Sequence, residues 1–145
     1  MGGQLSHFST PRKPVQKSIG RYIIGETPST LGLGATCKVK YTQCGKAIKI
    51  IKEKQENETE EKYEQRIRGM LNEIKTLREL SHQNMLRLLD HGCDTYKKPS
   101  EPEESWKKRH YLVFELASGG EVYDFVFGSG PFSEPIARYI FKQLL

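Results

Sequence analysis

The chain has 145 residues, 36% of them hydrophobic, which is enough for one domain's core with no surplus. Lysine and arginine (23) outnumber aspartate and glutamate (18), but the two signs interleave, so the sequence lacks the basic stripe with aromatics among it that a nucleic-acid partner requires. Cys37, Cys44 and Cys93 are odd in number and widely spaced, which argues against a disulfide framework or a zinc site and for a reducing compartment.

Residues 1–20 are polar, carry Pro11 and Pro14 and show no periodicity, which predicts a flexible basic tail. Its start, Met1-Gly2-Gly3-Gln4-Leu5-Ser6, fits the M-G-x-x-x-[ST] acylation pattern. One acyl chain holds a membrane only marginally, and Arg12, Lys13, Lys17 and Arg21 would supply the second, electrostatic signal. The competing reading is a chance match to a short pattern. No apolar run approaches the roughly 18–20 residues of a membrane span. The expected location is the cytoplasm, with weak membrane association if Gly2 is acylated.

Tyr22-Ile23-Ile24 predicts a first strand interrupted by Gly25 and Pro28. The stretch that follows, Leu31-Gly32-Leu33-Gly34-Ala35-Thr36-Cys37-Lys38-Val39, is a glycine-rich turn whose small residues let backbone amides close over anionic oxygens. Two glycines two apart are common in hairpin loops, so the pattern informs only in company. Val39-Lys40-Tyr41 reads as the return strand and Gln43-Cys44-Gly45 as a tight turn. Ala47-Ile48-Lys49-Ile50-Ile51 is a buried strand with one charge in its middle. Lys49 is either an edge lysine whose stem snorkels or a functionally placed cation, and the flanking apolar residues favour the second.

From Glu53 to Leu80 the pattern turns helical. Lys54 to Arg68 is almost wholly polar, with Glu58–Lys62 and Glu64–Arg68 at i,i+4 spacing and Asn57 with Glu60 as a candidate cap. Ile67, Met70, Leu71, Ile74, Leu77 and Leu80 form one apolar face. Gly69 costs about 1 kcal/mol relative to alanine in a helix, so a break or kink is expected there. Glu73 adjoins the apolar stripe, either as a boundary residue or as the partner of a buried cation, for which Lys49 is the candidate.

Met85 to Leu89 reads as a further strand, residues 94–110 as a solvated loop in which Trp106 has no evident role, and Tyr111 to Glu115 as a buried strand. The small-residue segment from Ala117 to Glu121 leaves backbone groups open to a flat base edge. Val122 to Phe127 makes a short helix, broken by Gly128-Ser129-Gly130-Pro131. Ser133 caps a last helix with an apolar face of Ile136, Ile140, Phe141 and Leu144.

In register from Tyr22 to Leu145, these residues resemble a serine/threonine protein kinase of the calmodulin-dependent and AMP-activated type. Gly32-x-Gly34-x-x-Cys37-x-Val39 resembles the glycine-rich loop and Lys46-Ala47-Ile48-Lys49 the V-A-I-K strand. Glu73 matches the helix glutamate, and Ser81-His82-Gln83-Asn84 the turn after that helix. Leu112 to Glu121 is similar to the strand and linker between the lobes, and Phe132-Ser133-Glu134 with Ala137-Arg138-Tyr139 to the first long helix of the large lobe.

The resemblance implies an α+β fold: a kinase small lobe with an antiparallel sheet of about five strands and one long helix, then two helices of an incomplete large lobe. Its divisions would be a tail at 1–20, the small lobe at 21–117, and the linker with the first large-lobe helices at 118–145. It implies ATP as ligand, with amides from Gly32 through Leu33, Gly34, Ala35, Thr36 and Cys37 to Lys38 over the phosphates. Lys49 and Glu73 would be the catalytic pair, with Lys49 on the α- and β-phosphates. Leu31, Val39 and Ala47 would sandwich the adenine, Phe114 would stand behind it, the backbone of Glu115 and Ala117 would read its edge, and Glu121 would contact the ribose.

The departures are specific. Cys37 stands at the third glycine position, as a tolerated small side chain or as an oxidisable thiol. Pro28-Ser29-Thr30 looks inserted, and the span between Lys49 and Glu73 looks long. No H-R-D-x-x-x-x-N or D-F-G sequence occurs, so the base and magnesium ligands of the family are missing and no metal site is expected. The expectation is an incomplete stretch of an active kinase that gains magnesium and a protein substrate only with its large lobe. The alternatives are a non-catalytic binding module and a membrane-tethered regulatory stub.

Overall fold

A computed structural model describes residues 16–25 and 30–145. Gly2, Pro11, Pro14, Arg12, Lys13, Pro28 and Ser29, and the readings attached to them, lie outside those residues. Seven strands form one antiparallel sheet: β1 Ser18–Ile19, β2 Tyr22–Ile23, β3 Thr30–Leu33, β4 Cys37–Tyr41, β5 Ala47–Ile51, β6 Leu88–Lys97 and β7 Lys107–Phe114, in the order β2-β1-β6-β7-β5-β4-β3. Three helices accompany it: α1 Glu60–Glu79, α2 Val122–Ser129 and α3 Glu134–Leu144.

The α+β class holds, with seven strands rather than about five because β1 and β2 are short strands at the edge. Ser18 and Ile19 fall within the stretch assigned to a tail, yet Ile19 is fully buried and pairs with Tyr96. The segment is pinned from its turn as well. Tyr22 Oη donates to Asp90 Oδ2 at 2.5 Å, and Arg21 Nη2 donates to the same oxygen at 2.8 Å.

Strand alternation divides the core into two clusters, one on each face of the sheet. Ile48, Ile50, Tyr111 and Val113 pack with Ile19, Tyr22, Ile24 and Tyr96 on the outer face. Ala47, Ile51, Leu112 and Phe114 pack with Met70 and Ile74 of α1 on the inner face. Lys49 stands midway between Ala47 and Ile51, so the period of two puts it on the inner face, toward α1. The burial of Met70 and Ile74 fastens the helix there, each contributing about 1.5–3 kcal/mol.

Helix α1 begins after Thr59, not at the expected Asn57; the Thr59 hydroxyl accepts from the Lys62 N–H at 3.3 Å. It runs unbroken through Gly69, correcting the expected kink, because the adjacent Met70 is anchored in the core and the missing side chain faces open space. Leu71 and Leu80 of the expected apolar face are about half exposed, at 52% and 49%. Glu64 pairs with Arg68 as the spacing predicts, but Glu58 pairs with Arg66 instead of Lys62.

The region after α1 differs most from expectation. Met85 and Leu86 are not in a strand; β6 starts at Leu88 and continues through the polar residues read as a loop, pairing with β7 from Leu88↔Phe114 to Tyr96↔Lys107. Trp106 has a role after all. Its indole N–H donates to the carbonyls of Lys98 (3.0 Å) and Glu101 (3.2 Å), closing the turn between the two strands. Helix α2 stops where Gly130, at φ 82°, takes a conformation open to glycine. Ser133 is the α3 N-cap, with its carbonyl accepting the Ala137 N–H at 2.9 Å and no capping bond from its hydroxyl.

Candidate functional site

Lys49 and Glu73 meet on the inner face. Lys49 Nζ lies 2.8 Å from both Glu73 oxygens, so the carboxylate grips the ammonium symmetrically. The side chains are 25% and 38% exposed, which leaves the cation within reach of a ligand. Strand β5 supplies the lysine and α1 the carboxylate, and burial of Met70 and Ile74 beside Glu73 sets their approach.

The pair borders a cavity of about 450 Å³ lined by Val39, Ala47, Leu77, Met85, Leu86 and Phe114 besides the pair itself. An apolar slot with one paired cation at its wall suits a flat ring carrying an anionic group. A neighbouring cleft shares Met85 and Leu86 and includes Glu115 and Ala117. The Glu115 carboxylate accepts the Arg87 N–H at 2.8 Å, and the Glu115 N–H donates to the Arg87 carbonyl at 3.3 Å, which fixes the start of that segment.

The glycine stretch forms the β3–β4 hairpin, closed by the Gly34 N–H donating to the Cys37 carbonyl at 3.0 Å. A β-carbon at Gly34 would stand 3.3 Å from Cys37 Sγ, so a larger residue there would require the thiol to give by a few tenths of an ångström. Cys37 and Val39 are partly buried against the inner cluster. Lys38 alternates to the other face, where its side chain lines a separate cavity. Leu31 and Leu33 are exposed, at 49% and 70%, and Leu31 is not among the residues lining the slot. Ala35 and Thr36 border a small cleft with Glu58, Lys62 and Arg66. Glu121 sits exposed at the N-cap of α2.

The structure therefore gathers Val39, Ala47, Lys49 and Glu73 into one cavity and sets Glu115 and Ala117 beside it. Sequence reasoning missed Leu77, Met85 and Leu86. Leu77 was findable, being one turn after Glu73 on the same helix face. Met85 and Leu86 were not, because an apolar run preceding a strand reads as part of it.

The separate cavity, about 390 Å³ on the outer face, is lined by Lys38, Lys52, Lys54, Lys98 and Arg109 around Ile50 and Tyr96. Most of its cations already have carboxylate partners: Arg109 with Glu53, Lys98 with Glu101 and Lys54 with Glu60. Burial holds the Arg109 guanidinium below its ordinary value, and burial followed by the nearby Glu101 charge pushes Tyr96 up to about 12.

Residues 26–145 match the protein kinase domain. The chain belongs to that family. Among relatives, it is 34% identical over 132 residues to the probable serine/threonine-protein kinase MARK-B of Dictyostelium discoideum, covering 88% of this chain and 16% of that protein. It is 35% identical over 121 residues to calcium/calmodulin-dependent protein kinase type 1 of Caenorhabditis elegans, covering 79% of this chain and 29% of that one. The crystal structure of Rad53 1–466 in complex with AMP-PNP superposes with a TM-score of 0.55 at 25% identity, covering 85% of this chain and 28% of that one. The chain thus spans less than a third of these relatives' lengths. This kinase-domain segment includes the small-lobe sheet and α1, with α2 and α3 at the start of the large lobe.

Proposed function

We propose that this chain is the ATP-binding portion of a serine/threonine protein kinase, whose complete domain transfers the γ-phosphoryl group to protein serine or threonine. The Lys49–Glu73 pair at the wall of an apolar slot carries the reading, because a cation held by a carboxylate beside a ring-sized cavity is what a nucleotide's phosphates and base require together. The AMP-PNP bound to Rad53 supports it.

In this reading Val39 and Ala47 pack on the adenine, Phe114 stands behind it, and the backbone of Glu115 and Ala117 meets its edge. Lys49 contacts the α- and β-phosphates and Glu73 positions Lys49. The hairpin from Gly32 to Lys38 covers the phosphates with its amides. Leu31 and Glu121, exposed in the structure, would engage the adenine and ribose only on ligand contact. The sequence carries no D-F-G, which supplies the main magnesium ligand of the family. Metal binding and phosphoryl transfer are accordingly assigned to the complete domain.

Calorimetric titration with ATP and with adenosine, without metal, tests the reading. Lys49→Met should weaken ATP by roughly 10-fold or more, the value of a charge-assisted contact, and change adenosine less than about twofold. No ATP binding at millimolar concentration, or ATP affinity indifferent to Lys49→Met, would overturn it.

A further inference from the structure

The tip of the glycine hairpin is tied by its carbonyl oxygens to two cations that belong to other elements. Lys52, just past β5, donates from Nζ to the carbonyls of Gly34 (2.5 Å) and Ala35 (3.2 Å), and its N–H donates to the Thr36 carbonyl at 3.0 Å. Arg66 of α1 reaches the same Thr36 carbonyl with Nη1 at 3.2 Å. It also donates to the carbonyls of Lys52 (Nη1, 3.5 Å) and Glu53 (Nη2, 3.2 Å).

Glu58 holds the other edge of the guanidinium, accepting from Nε at 2.7 Å and Nη2 at 2.6 Å in the bidentate geometry that orients an arginine most firmly. Both side chains are 14% exposed, so this pair is better shielded than Lys49–Glu73. One planar group therefore joins the hairpin tip, the end of β5 and the chain ahead of α1.

Arg66 and Glu73 are also two turns apart on one unbroken helix, at the i,i+7 spacing that keeps residues on one side. Displacing α1 relative to the sheet would shift the guanidinium and the carboxylate together. A helix movement that pulls Glu73 from Lys49 would thus also pull Arg66 from the hairpin.

We propose that Arg66, oriented by Glu58, is a positioning residue that couples the tip of the glycine hairpin to helix α1, so that the tip and the Lys49–Glu73 pair are set together. Its effect on phosphate binding rests on the nucleotide reading above; the mechanical coupling does not. Arg66 touches no reacting atom. It holds the tip through the Thr36 carbonyl and so takes up none of the turn's amides.

Two measurements on the full chain test this. Hydrogen exchange without nucleotide should show the Lys52 amide, bonded across the clasp to the Thr36 carbonyl, and the Gly34 amide, bonded within the hairpin tip to the Cys37 carbonyl, exchanging about 10-fold faster in Arg66→Met, with Leu112 and Val113 unchanged. Arg66→Met should also weaken ATP by about 5- to 10-fold while adenosine stays within about twofold, since the clasp acts on the part of the site that meets phosphates. Glu58→Gln leaves Arg66 in place and should shift both readouts the same way by less, which keeps the test informative if Arg66→Met does not fold.

Unchanged exchange at Gly34 and Lys52 in both variants would overturn the coupling. Equal loss of ATP and adenosine would overturn it too, by reducing Arg66 to a general support of the fold. If exchange responds while wild-type chain binds no ATP, the coupling stands and the nucleotide reading falls.

Discussion

Lys49 Nζ stands equidistant, at 2.8 Å, from the two carboxylate oxygens of Glu73, a residue of another element 24 positions later. The pair is partly exposed on both sides, so its main effect is on placement of the ammonium rather than on stability. Glu73→Gln should change unfolding free energy by less than about 1 kcal/mol while weakening ATP by about 3- to 10-fold. Urea denaturation beside calorimetric titration checks this. A large stability loss with unchanged affinity would mean the pair is structural.

The clasp carries a pH signature. Hydrogen bonds from Arg66 hold the Glu58 carboxyl below its ordinary 4.5, against a smaller opposing effect of burial. Because the folded value is the lower one, the stabilisation is complete above the unfolded value and is lost as pH falls through the folded one. The difference in Tm between wild type and Glu58→Gln should be constant from pH 7 down to about 5 and shrink as pH falls below about 4.5. A difference that widens on acidification would contradict the assigned geometry.

Leu112 is fully buried and lies directly across from Lys49 in the β5–β7 register. Leu112→Ala should cost about 2–5 kcal/mol, measured by urea denaturation, through lost burial and the cavity left behind. A cost under about 1 kcal/mol would show that the inner cluster collapses around the gap.

What could be read from the sequence followed from contrast. Lys49 stood out as a charge inside a β-branched run, and Glu73 as an acid beside an apolar stripe, so their pairing could be expected before any coordinates. Arg66 offered no such contrast. It lies in a polar segment where every charge looks solvated, and its partner Glu58 precedes the helix, where helical spacing does not apply. The β6–β7 hairpin was hidden for a related reason. Between Asp90 and Tyr96 the strand exposes much of its length, so polar residues suit it as well as apolar ones. Within β6 only Tyr96 is buried, and a single buried residue shows no period. Ile19 was lost inside a polar stretch too short to show period.

The most direct test of the account is an ATP titration of the isotopically labelled chain followed by amide NMR. The shifts should concentrate on Gly32 to Val39, Ala47, Lys49 and the segment from Phe114 to Ala117, and should be much smaller at Tyr96 and Arg109 on the outer face. Shifts centred on the outer cavity, around Tyr96, Lys98 and Arg109, would contradict the account, because they would place the anion on the face opposite the Lys49–Glu73 pair.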